Sequence, residues 1–140
     1  MQWNVQELEN WEELRTYVDT ALLPLYLYRP EKPVKEHVQR MSYLVQVAAS
    51  IEQRLKGRVL MFPLCYQIGD EPLAQRLPAG FAHYVLLQFS GDRLDAHEGE
   101  GSRLRLTVGD EDLESALRFE VTIDVLSQEI IRHWQHGGRQ

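Results

Sequence analysis

Cys65 is the only cysteine in the chain and its one candidate nucleophile. It lies near the end of an apolar run, Arg58 to Tyr66, that repeats a pattern met earlier: Leu23-Pro24-Leu25 and Phe62-Pro63-Leu64 are each followed by tyrosines. If both runs are parallel neighbouring strands, Tyr26, Tyr28, Cys65 and Tyr66 finish near one sheet edge, where open α/β sheets place their ligands. With Asp19 they form the candidate ligand-binding set. A catalytic thiolate also needs a base and a positive neighbour. Phe62, Pro63 and Leu64 supply neither, and an apolar setting raises a thiol pKa. Cysteine in such a place is ordinarily a small buried hydrophobe, so Cys65 is expected to be structural and no catalytic residue is assigned.

The five histidines offer no better constellation. His133 and His136 are three apart, on one face of a helix end. Two imidazoles in that arrangement still lack a third metal ligand, and histidine near a helix C-terminus is favoured by the helix dipole in any case. His97 sits beside Glu98 in an acidic loop, His83 opens a strand, and His37 falls off the apolar stripe of its helix and is expected to be exposed. No metal or cofactor is expected. Gly99-Glu100-Gly101-Ser102 is the nearest approach to a phosphate loop. Its acids would repel phosphate, and a strand rather than a helix follows it. There is no G-x-S-x-G elbow, no H-E-x-x-H and no kinase signature.

The elements that must position these groups can be read from periodicity. Leu8, Trp11, Leu14 and Val18 predict an amphipathic helix over 5–18, with Asn4 as its N-cap. Ala21 to Tyr28 predicts a strand, although Pro24 cannot donate to a sheet ladder and marks a bulge or an edge. From Pro33 to Gly57 the spacing predicts one long helix packed through Val38, Met41, Val45, Ala48 and Leu55. Residues 58–66 predict a second strand parallel to the first, completing a β-α-β unit. Phe81 to Phe89 predicts a third, and Arg103 to Val108 a half-exposed fourth, antiparallel to it. Phe119, Val121 and Ile123 alternate with polar residues as a fifth strand would, and Val125 to Trp134 returns to helical spacing. The segments 70–80 and 92–102 read as loops, the second of them mobile and free of apolar anchors. The expectation is a single α/β (α+β) domain over 1–140, a mixed sheet of about five strands with an N-terminal, a crossover and a C-terminal helix.

Composition limits the partners. The net charge is −6, and acids crowd 1–20 and 92–114 while bases gather in 29–58. Those bases interleave with a hydrophobic stripe instead of forming the dense patch that nucleic acid requires. No run of 18 apolar residues encodes a transmembrane helix. The opening residues lack the basic start and apolar run of a signal peptide, so a cytoplasmic location is expected.

Trp3-Asn4 and the stretch Tyr17-Val18-Asp19-Thr20-Ala21-Leu22-Leu23-Pro24-Leu25 resemble the YpiF-like family of uncharacterised bacterial proteins. The resemblance implies no activity and transfers no functional residue. Genes of that family can lie beside those of a menaquinol–cytochrome c reductase, which implies an accessory role in respiratory-complex biogenesis. The strand-helix-strand start also looks like the small α/β domains that precede the propellers of TolB-type proteins, a likeness of fold that carries no function. The first expectation is therefore a non-catalytic accessory or interaction domain with a protein partner or a homodimer. The alternative is a small-molecule-binding or enzymatic domain with its site at the C-terminal edge of strands 20–28 and 58–66.

Overall fold

The computed structural model describes residues 1, 5–6, 8–68, 77–92 and 101–137, apart from the Glu114 side chain. Its elements are α1 (Trp11–Leu14), β1 (Thr20–Tyr28), α2 (Val34–Arg54), β2 (Val59–Met61), β3 (Cys65–Ile68), β4 (His83–Phe89), β5 (Ser102–Val108), a 3₁₀ turn (Asp110–Glu114) and α3 (Ala116–Gly137). The strand order is β2-β1-β4-β5, with β3 continuing the line of β2 beside β1. All the pairings are parallel. The mixed sheet is thus corrected to a parallel one: β5 runs with β4, His83 opposite Ser102 and Phe89 opposite Val108.

Alternation along the strands sorts the core into two faces. Leu22, Tyr26, Val85, Leu87, Phe89, Leu106 and Val108 point to the side covered by α2 and α3, where Leu44, Val47, Ile51, Ile123 and Ile130 meet them. Ala21, Leu23, Leu25, Leu27, Tyr84 and Leu86 point to the other side, against Phe62, Leu77 and Phe81. The β1-to-β2 crossover passes over the first face through α2, and Leu77 and Phe81 bring the approach to β4 over the second. β2 and β4 thus flank β1 on opposite sides, with α2 over one face and the described residues that lead into β4 over the other.

Four sequence expectations change. The helix expected over 5–18 is helical only from Trp11 to Leu14, the rest of its described residues being turns. Its apolar spacing survives because three-residue turn bonds, Trp11 N–H to Leu8 O and Tyr17 N–H to Leu14 O, reproduce the same step. Leu8, Trp11 and Leu14 still pack on Met1, Val18 and Leu60. The strand expected over 119–123 lies inside α3. There Phe119 and Ile123 face the core while Val121 faces outward, so a helix apolar on two sides imitates strand alternation.

The third change concerns α2, which buries His37, Arg40, Leu44, Val47, Ala48 and Ile51. Val38 and Val45, expected in the core, are 59% and 39% exposed, and His37, expected outside, is 1% exposed. The buried stripe is rotated because the helix buries a histidine and an arginine that a hydrophobicity count assigns to solvent. Glu52 is buried as well, 2.5 Å from the Met1 ammonium.

The fourth is the strand expected over 58–66, which is interrupted at Phe62–Leu64. Leu22 pairs with Met61 and Leu25 with Cys65, so one strand has two intervening residues where its neighbour has three. This is a β-bulge, and it brings Pro24 and Pro63 together where the ladder is already broken.

Candidate functional site

β1 connects outward in one direction and β4 in the other, so the crevice above their carboxyl ends is a topological switch point. Tyr26 points up from β1 into it and is fully buried. Its hydroxyl lies 2.5 Å from His37 Nδ1 on α2. The opposite nitrogen, His37 Nε2, donates to the Arg29 carbonyl at 2.7 Å. Tyr28 stacks on the same imidazole, with centroids 4.1 Å apart. Arg40, one turn further along α2, donates through Nε to Asp110 at 2.9 Å, and its guanidinium lies 4.3 Å from the Phe89 ring centroid. Arg29 reaches Asp92 at 3.3 Å. Burial pushes the Tyr26 phenol up, against the charge of Arg40. It also raises Asp92, in spite of Arg40 and Arg29.

The described side chains of the crevice are paired largely with one another. Among the described residues, Asp92 Oδ2 is buried without a hydrogen-bond partner. Beside the cluster, a groove of about 710 Å³ runs between α2 and the 3₁₀ turn, lined by Gln39, Arg40, Tyr43, Gln46, Asp110 and Leu113. The turn is held by Asp112, whose carboxylate accepts the Gly109 N–H at 2.9 Å.

A second polar cluster occupies the amino ends of the strands. Asp19, just before β1, accepts two bonds from Arg58, at 2.8 and 3.0 Å. Arg58 lies over the Trp134 ring at 4.0 Å, and the Trp134 indole donates to Thr20 Oγ1 at 2.8 Å. His83 Nδ1 is 2.6 Å from Ser102 Oγ, and His133 Nε2 is 2.9 Å from the same oxygen. Burial would raise the Asp19 carboxyl, but hydrogen bonds from Arg58 and Thr20 and the Arg58 charge hold it below its ordinary value. Burial lowers both His83 and His133.

Aspartate, histidine and serine in contact invite comparison with a hydrolytic triad, and the geometry argues against one. Asp19 is 3.9 Å from His83 Nε2 and is already claimed by Arg58. Ser102 Oγ is engaged by imidazoles on both sides, which leaves it poorly placed to attack.

The candidate set read from sequence is therefore divided. Tyr26 and Tyr28 belong to the carboxyl-end cluster. Asp19 stands at the opposite end of β1, ~23 Å from Tyr26 at the rise of an extended strand. Tyr66 pairs with Tyr26 in register but is exposed. Cys65 pairs with Leu25 and faces the other side of the sheet, where burial raises its thiol. The sequence reading singles out neither Arg40 nor the pairing of His37 and Ser102 with their partners here. The signal available was that His37 and Arg40 lie three residues apart on one helical face, in line with Leu44.

Among the described residues no three histidine, cysteine or acidic side chains are grouped to hold a metal ion. No helix there is long and apolar enough to cross a membrane. Residues 9–87 match the family DUF2487, described as proteins of unknown function, and the chain belongs to that family. It is similar to a Bacillus subtilis (strain 168) protein described as uncharacterized protein YpiF, 26% identical over 95 residues. That stretch covers 62% of this chain and 64% of the relative, just under two thirds of its length. No solved structure matches the chain.

Proposed function

We propose that this domain is a non-catalytic accessory module that binds a protein partner through the outer face of α3. One observation carries the reading. Leu117, Val121 and Val125 recur every four residues along α3 and are 83%, 61% and 52% exposed. Such a row fits the apolar anchors by which a helix docks into a partner's groove. A polar crevice occupied by its own ion pairs is consistent with binding in place of chemistry. A cytoplasmic location, expected from the sequence, and an accessory role in respiratory-complex biogenesis, suggested by the family resemblance, are the particular form we assign to this reading. A photocrosslinker at position 121, in cells that make the protein, should yield a discrete heavier species that Val125→Asp abolishes. A species of twice the chain mass identifies a homodimer, and monomer alone overturns the reading.

Asp92 Oδ2, buried without a hydrogen-bond partner among the described residues, favours a second reading, a small-molecule site at the switch point with Tyr26 and Tyr28 among its walls. The ligand would present a hydrogen-bond donor to that oxygen. A thermal-shift screen of amines and polyols should find a compound that stabilises the protein and loses its effect in Asp92→Asn. A screen without such a compound removes this reading.

A further inference from the structure

The Ser102 hydroxyl has one proton and two imidazole neighbours. It can donate to one facing nitrogen and accept N–H from the other, so the bridge from His83 to His133 is complete while one of those nitrogens is unprotonated. A second proton on each ring, making both cationic, turns both facing nitrogens into donors. The Ser102 proton must then turn away, and the Ala82 carbonyl, 3.5 Å off, is an acceptor in reach. Two cationic rings would remain with centroids 5.4 Å apart.

Among the described residues, the groups around the pair offset that charge only in part. From the approach to β1, the Asp19 carboxylate favours a charged His83, but it is shared with Arg58. From the approach to β2, Arg58 itself disfavours a charged His83. β5 presents the neutral Ser102, and α3 presents Trp134 and, one turn beyond His133, the exposed His136.

We infer that the His83–Ser102–His133 bridge is a proton-operated latch that holds the last turns of α3 on the amino ends of β4 and β5 and releases them in acid. Trp134 rides on the same turn through Thr20 and Arg58, so release should also free the indole. The sign follows from burial. Both imidazoles bind protons less readily folded than unfolded, so the latch contributes fully above about pH 6.5 and is lost as pH falls through their lower folded values.

The test is a proton NMR titration of the intact chain from pH 8 to 4.5, following the His83 and His133 ring protons and the Trp134 indole N–H, assigned with His83→Gln and His133→Gln. The expected result is that both rings titrate below about pH 6.5 and that the indole resonance moves with them. Amide exchange in residues 128–137 should then rise at least several-fold over its intrinsic pH dependence. An indole resonance that stays put while the rings titrate overturns the latch, as do rings that never titrate in this range. Should either variant fail to fold, assignment from through-space contacts within the unsubstituted chain serves the same titration.

Discussion

At the carboxyl ends of the strands Arg40 is almost wholly buried against an exposed Asp110, while at the amino ends Arg58 and Asp19 are both partly open. Arg40 is embedded in a packed cluster of Tyr26, His37 and Phe89. Arg58 and Asp19 lie at the rim beside a pair of titratable rings. Burial makes the first end costly to disturb and insensitive to modest changes of solvent. Partial exposure lets the second respond to protons. The same residue types thus give rigidity at one end and responsiveness at the other, according to how much water each retains.

The sharpest way to break this contrast is to remove the two arginines in turn. Arg40→Met should lower unfolding free energy by about 3 kcal/mol, since it strips a buried hydrogen-bonded cation from Tyr26 and Phe89. Arg58→Met should cost about 1 kcal/mol. Equal losses in urea titrations would show that the ends do not differ. Next in size, Tyr26→Phe leaves His37 Nδ1 unpartnered and should cost about 1–2 kcal/mol.

Asp19→Asn should cost about 0.5–1 kcal/mol near neutrality. Because the folded carboxyl sits below its ordinary value, this stability is present above about pH 3.9 and lost as pH falls through the folded pKa, so variant and parent should converge in strong acid. A gap that persists at pH 2 would assign the effect to packing. Asp92→Asn has the opposite sign. Burial raises that carboxyl, so ionisation near neutrality works against the fold. The variant should melt a degree or so higher at pH 7, with the advantage vanishing in acid. The smallest effect belongs to Val38→Asp on the exposed flank of α2, expected within about 0.5 kcal/mol of the parent. A loss of several kcal/mol would restore the helix face read from sequence.

Sequence periodicity was enough for β1, β4, β5 and α2, because each presents a long apolar pattern of unambiguous period. It misassigned the start of α3, since Leu117, Val121 and Val125 add apolar positions that no core requires. It also misplaced the inward face of α2, where His37 and Arg40 are buried by partners on Tyr26 and Asp110 that only the fold supplies. Parallel pairing of β5 could not be read from six alternating residues, because alternation reports burial and not direction. Of the candidate set, Tyr26 and Tyr28 stand at the carboxyl end of β1, as the direction of that strand implies. Asp19, grouped with them, precedes the other end of the same strand, and an extended strand carries its two ends as far apart as a chain can.

β1 lies between β2/β3 on one flank and β4 on the other, and this position governs how the protein is made. Thr20 pairs with Val59 and with His83, so the strand emerges from the ribosome well before either neighbour exists. Its apolar residues must wait through the synthesis of the whole of α2. Few local contacts and many distant ones make for slow folding, and the waiting strand is the segment most in need of shelter from aggregation.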